Sequence, residues 1–213
     1  MINYNISTTD LLLMNNIKKE KSSLVATLNK NIKEQLLCLD EFIKGMTECD
    51  KKELPNTRVI WNLSAFVNIE SIELKTIQRD LYASTSDWEQ RHYIRQAYLL
   101  MHEFFRTYHS ENKGFHHIIS EKLDVSNLQN EKANVVCLIR DFKKKHEKIL
   151  EEIRHNTIAH RNGDVSLQVK YIENLNFSES ISIMLEFDRI LNALGAYLQK
   201  VINAGLNDIG LLK

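Results

Sequence analysis

An all-α antiparallel helical bundle is the fold class this sequence predicts, and three observations predict it. Six Gly and one Pro in 213 residues leave few points at which a helix must stop. Apolar residues recur at spacings of three and four through most of the chain, the period of one helix face. The breaks between these segments are short, which lays consecutive helices side by side in opposite directions. With 43% hydrophobic and 26% charged residues, the chain has material for one core of ordinary size and is neither a disulfide scaffold nor a disordered tail.

The first element runs from Asp10 to about Met46, where Leu13, Ile17, Leu24, Leu28, Ile32, Leu36, Leu39, Ile43 and Met46 mark one face. Ser7, Thr8 and Thr9 offer N-caps, and Ser22-Ser23 weakens the middle, so this is one bent helix or two. The stretch from Cys49 to Pro55 carries the only proline and reads as a linker. Residues 1–55 are thus expected as an N-terminal helical extension and residues 56–213 as the bundle proper, together one compact unit. A second helix follows from Thr57 to Ala83 through Ile60, Leu63, Val67, Leu74, Ile77 and Leu81.

Ser86-Asp87-Trp88-Glu89 has the S-x-x-E form of a capping box, so a third helix starts there. Its stripe of Tyr93, Ala97, Leu100, Met101, Phe104, Phe105 and Tyr108 leads to an expected break at Asn112-Lys113-Gly114, with a short helix from Phe115 to Leu123 beyond it. Ser126-Asn127-Leu128-Gln129 is a second box and opens a long helix that ends at Asn162-Gly163-Asp164. From Ser166 to Tyr171 the residues alternate enough to allow one short strand or hairpin. A last helix spans about Ser178 to Asn203, with Gly205 as its end signal.

Lys plus Arg equals Asp plus Glu at 28 each, so no global positive field exists and any nucleic-acid contact must be a local patch. Cys38, Cys49 and Cys137 are odd in number and lack C-x-x-C spacing, which fits reduced thiols in a cytoplasmic protein. The opening residues lack a basic stretch followed by an apolar run, and no segment approaches the ~20 apolar residues that span a bilayer. Export and membrane insertion are not expected.

The chemistry sits on the long helix. Its buried stripe runs Ile139, Phe142, His146, Ile149, Ile153 and then turns polar at Asn156 and His160. An unsatisfied polar group on such a stripe costs about 1–3 kcal/mol, so a groove or a dimer partner is needed there. Arg154 precedes His160 by six residues, about 9 Å along the axis and roughly 120° around it on ideal helix geometry. Two such side chains can flank one phosphate.

Arg154-His155-Asn156-Thr157-Ile158-Ala159-His160 resembles the R-x4-6-H signature of HEPN domains, with a polar residue after the Arg and Ala before the His. Arg161-Asn162 continues in the same style. The resemblance implies a helical bundle with the motif late in the chain. It also implies a metal-independent endoribonuclease of the toxin or antiviral-defence kind, with two motif copies of a homodimer in one cleft, a cyclic phosphate and a free 5′ hydroxyl as products, and no cofactor. An antitoxin protein is a possible partner. Arg95 to His102 and Arg140 to His146 match the same spacing, but the first lies inside a helical segment and the second has a Lys run between its ends. Tyr is absent two residues after His160, where Asn162 stands, so the tyrosine-modification control of one branch of the family is not expected.

In these roles His160 is the acid–base group, since an imidazole with an ordinary pKa near ~6.5 exchanges protons near neutral pH. Arg154 is the electrostatic group, its planar fork suited to two phosphate oxygens. Asn156 orients the imidazole or the substrate. His155 and Arg161 flank the motif as candidate substrate contacts. Arg91, Arg95, Tyr98, His102, Arg106 and His109 follow one another by three or four on the third helix, a basic stripe able to track RNA, of which Arg91 and Arg95 are taken as binding residues. The same helix supplies Glu89 and Glu103, either of which could pair with Arg154, although capping and surface pairing are their ordinary uses. Lys143-Lys144-Lys145 reads as a solvent face and His116-His117 as a surface pair without metal partners. The competing readings are an inactive HEPN-like module that binds RNA, a nucleotide or a partner protein, and a purely structural bundle in which Asn156 and His160 are satisfied internally.

Overall fold

The amphipathic periodicity folds as expected into helices. The computed structural model describes residues 8–122, 126–158 and 164–207. Among them are the helices α1 (Thr8–Lys51), α2 (Pro55–Ala83), α3 (Asp87–Lys122), α4 (Gln129–Ile153), α5 (Val165–Glu173) and α6 (Phe177–Asn207), and no strand. A 3-10 turn, Ser126–Leu128, precedes α4, and a five-residue π turn, Arg154–Ile158, follows it. No helix among the described residues is long and apolar enough to cross a membrane. The three cysteines form no disulfide.

Side-chain pairings give the directions. Lys21 Nζ donates to Ala83 O at 2.7 Å and Gln35 Nε2 to Ser71 Oγ at 2.7 Å, so α1 and α2 run antiparallel. Phe66 stacks on Phe104 at 5.6 Å between α2 and α3, and Phe105 meets Phe142 at 5.4 Å between α3 and α4. Tyr98 with Ser180, Phe104 with Phe187 and Phe115 with Tyr197 keep a nearly constant offset, so α3 and α6 run parallel. Four helices, α2, α3, α4 and α6, therefore enclose the core, and α1 packs on the outside of α2. Phe104, Phe105, Phe142 and Phe187 form the aromatic centre, with edge-on and tilted ring pairs 5.1–5.8 Å apart.

Two close fits fix α1 and α6. A Cβ at Gly45 would lie 2.5 Å from Trp61 Cδ2, so α1 and α2 approach closely only because that position has no side chain. Lys75, 7% exposed, donates from Nζ to Asp188 Oδ1 and to Ser71 Oγ, both at 2.8 Å, which joins α2 to α6 by a buried ion pair.

Several boundaries differ from the sequence expectation. α1 is one continuous helix, and it ends where Glu53 adopts a left-handed φ of 54° and Leu54 N–H returns to Cys49 O at 2.9 Å. Pro55 then stands at the first turn of α2, where its missing N–H costs nothing. α3 does not break at Asn112-Lys113-Gly114. Phe115, 1% exposed, is seated against Tyr197, and that burial outweighs the ~1 kcal/mol penalty of a helical Gly. The Ser86 box forms: Glu89 N–H donates to Ser86 Oγ at 3.2 Å and Ser86 N–H to Glu89 Oε2 at 3.1 Å. At Ser126 a 3-10 turn stands instead, and α4 begins at Gln129. The segment that alternated like a strand is α5. Asp164 caps it, its Oδ1 accepting from Ser166 N–H at 2.9 Å and Leu167 N–H at 3.3 Å, which starts a helix before any strand can pair.

Candidate functional site

α3 and α4 are neighbours in the core, and their outward faces converge on Glu103. Arg154 Nε donates to Glu103 Oε1 at 2.8 Å, and Arg106 Nη2 lies 2.6 Å from Glu103 Oε2. One carboxylate thus bridges two guanidinium groups. His102 Nδ1 stands 3.4 Å from the same Oε1 but makes no hydrogen bond and is buried. The geometry is not that of a donor aimed at an acceptor, so His102 is an electrostatic neighbour of Glu103 and no more. Burial opposes ionisation of Glu103 more than any other single influence. The Arg154 hydrogen bond and the charges of Arg106, Arg154 and His102 together outweigh it and hold the carboxyl below its ordinary range. Glu103 is therefore an anion that fixes the Arg154 head.

Arg154 opens the π turn. In such a turn backbone N–H groups reach back five residues rather than four, which disturbs the ordinary ladder at the end of α4. Two side chains supply hydrogens to carbonyls four residues back. Asn156 Nδ2 donates to Glu152 O at 2.7 Å, and Thr157 Oγ1 donates to Ile153 O at 2.7 Å. Asn156 thus satisfies its own helix through its amide hydrogens. His155 is exposed. His160 and Arg161 lie outside the described residues.

Beside this cluster, away from the bundle centre, α3 and α4 leave a groove of about 300 Å³. His102, Phe105, Arg106 and His109 line it from α3 and Lys143, Glu147 and Leu150 from α4, both sets at helix-face spacings. Phe105 and Leu150 form a floor that is 9% and 2% exposed, while the rim carries Arg106, Lys143, two imidazoles and Glu147, whose Oε1 lies 3.3 Å from Lys143 Nζ. Among the described residues, no cluster of three or more His, Cys, Asp or Glu side chains could hold a metal ion.

The basic stripe on α3 divides. Arg91 is 8% exposed, and its Nη1 donates to the carbonyls of Ile172 and Glu173 at 2.7 Å and of Leu175 at 3.3 Å. Its guanidinium is turned inward onto the end of α5, so it does not present the open contact expected of a substrate-binding residue. Arg95 lies over the Trp88 ring at 5.9 Å, and its Nε donates to Arg91 O. Tyr98 is buried against Ser180, and burial pushes its hydroxyl up to about 12. Of the stripe, His102, Arg106 and His109 line the groove, whereas Arg91 is turned onto segment 172–175, Arg95 onto Trp88 and Tyr98 onto Ser180. Glu89 is spent on its capping box.

Sequence reasoning passed over Lys143 as a solvent face and ranked Glu103 as surface pairing. The usable signal was the i, i+4, i+7 alignment of Lys143, Glu147 and Leu150, which places one lysine of the run at the edge of an apolar stripe. His146 is buried at 6% exposure and paired with Glu186 at 2.9 Å, so the Arg140 to His146 spacing match is a structural contact with α6. Compared with protein families, with curated proteins and with solved structures, the chain has no match in any of the three.

Proposed function

We propose that this protein is a metal-independent endoribonuclease of the HEPN kind, toxin-like or defensive, working as a homodimer. The observation that carries the reading is Arg154, held by Glu103, whose carboxylate also binds Arg106 on the rim of the α3–α4 groove. A guanidinium fixed through Nε has its fork orientation set in advance, as stabilisation of a developing phosphorane charge requires. The sequence motif supplies the second group, His160.

In the reaction the 2′ hydroxyl gives its proton to an imidazole, O2′ bonds to phosphorus, and the P–O5′ bond breaks. O5′ takes a proton from the imidazole of the second motif copy, leaving a 2′,3′-cyclic phosphate and a 5′ hydroxyl. Arg154 compensates the extra negative charge during transfer. General acid–base catalysis of this type contributes about 10²–10⁴-fold, so His160→Ala should lower cleavage by at least that order.

The test is cleavage of a defined RNA in excess chelator by wild type, His160→Ala and Arg154→Ala, with analysis of the termini. Loss in both variants with unchanged helical content and dimerisation supports the reading. Full cleavage by pure His160→Ala protein removes it. A second reading, a binding module without nuclease activity, draws on the same ion pair, because Glu103 competes with phosphate for Arg154. Wild-type protein that binds RNA, leaves it intact and does not arrest growth on expression would favour that reading. A toxin of this kind would also have a neutralising protein partner, found by co-purification from its native cell.

A further inference from the structure

We propose that the α3–α4 groove is a subsite for one nucleotide unit, with the base on Phe105 and Leu150 and the phosphate between Arg106, His109 and Lys143. Three features converge on that ligand class. The volume, about 300 Å³, is at the lower end of small-ligand sites and suits one ring system with its sugar phosphate. The floor is one aromatic ring and one aliphatic chain set flush in the core, and the aromatic surface is what a base stacks on without regard to its identity. The rim carries guanidinium, imidazole and ammonium groups on two helices. Arg106 and His109 are exposed, and Lys143 has 43% of its side chain exposed, so all three can turn toward a bound anion.

The charge balance favours an anion of low charge. Arg106, Lys143 and Arg154 against Glu103 and Glu147 leave one net positive charge around the groove before either histidine gains a proton. A phosphodiester carries one negative charge and meets that balance. Because Arg106 is bound to the same carboxylate as Arg154, a phosphate drawing Arg106 away from Glu103 would strengthen the grip of Glu103 on Arg154. Occupation of the groove is thereby coupled to the position of the group assigned to catalysis. The choice of an RNA strand as source of the nucleotide rests on the proposed function; the groove chemistry does not.

The experiment measures binding to the full-length His160→Ala protein, which separates affinity from cleavage. Probes are adenosine 5′-monophosphate, adenosine, inorganic phosphate and a five-residue single-stranded RNA. The nucleotide should bind at least tenfold more tightly than adenosine or phosphate alone. His109→Gln with Lys143→Gln should weaken it at least tenfold, while Lys30→Gln with Lys44→Gln on α1 should change it less than twofold. Both rim side chains are exposed, and circular dichroism verifies that the fold is kept. Tighter binding of the pentamer identifies a strand as the ligand, and equal or weaker binding identifies a free nucleotide. Absence of nucleotide and pentamer binding at millimolar concentration, equal loss in the α1 control, or phosphate binding as well as the nucleotide each overturns the proposal. Intact cleavage by wild type with an empty groove would discard the subsite alone; groove binding without any cleavage would discard the nuclease alone.

Discussion

Replacing Glu103 tests the centre of the site without touching a group assigned to the chemistry. Glu103→Gln keeps the shape and removes the charge that Arg154 and Arg106 share. The Arg106 contact is with a side chain 69% exposed, and pairs of that kind contribute about 0–1 kcal/mol. The Arg154 contact is between side chains 19% and 29% exposed, where a charge-assisted hydrogen bond contributes about 1.5–3 kcal/mol before solvent screening reduces it. About 2 kcal/mol for full removal, and roughly half of that for the amide, is the resulting expectation. For a chain of this size, 2 kcal/mol lowers Tm by about 4–8 °C. The Glu103 carboxyl is held below the ordinary glutamate value of 4.5, so its contribution is complete above that value and is lost as pH falls through the lowered pKa. Denaturant midpoints of wild type and Glu103→Gln should therefore differ clearly at pH 7 and converge below the ordinary carboxylate range. A gap that persists unchanged into acid, or no gap at pH 7, would refute the ion-pair argument.

Three other perturbations follow from contacts in the core and its edges. Asp188→Ala strands the buried Lys75 ammonium and should cost about 3 kcal/mol in chemical denaturation, whereas Lys75→Met with Asp188→Leu should cost far less because no charge is left unpaired. Gly45→Ala should destabilise by about 1–3 kcal/mol despite the higher helix propensity of Ala, since its Cβ meets the Trp61 ring; an unchanged Tm would contradict the close approach. Arg91→Met removes the donors on the last carbonyls of α5 and should speed limited proteolysis near residues 172–175 without changing RNA affinity. A selective loss of RNA binding in that variant would restore Arg91 as a substrate contact.

The helices were legible because each buries one continuous stripe, as Phe104, Phe105 and Tyr108 do on α3. Their ends were less so. Local break signals at residues 112–114 yielded to the burial of Phe115, a contact with Tyr197 that lies 82 residues away and leaves no trace in the neighbouring sequence. The strand-like alternation at 166–171 yielded to one capping aspartate, a signal that was present but is read correctly only once no strand lies beside it. At the site, the periodicity grouped His102, Arg106 and His109 on one face but gave no indication that segment 172–175 would fold over Arg91. The partnership of Glu103 with Arg154 depends on the relative height of two helices, which spacing within either one does not set.

The wide turn at Arg154–Ile158 has a consequence for how this chain tolerates length changes. It holds one more residue per revolution than the α-helix before it, so it acts as an insertion already absorbed. Deleting one of its residues would let the ladder close in the ordinary way without turning the end of the helix, whereas the same deletion inside α4 would rotate that end by roughly 100° about the axis. A one-residue deletion here should therefore do less damage than one in the middle of α4.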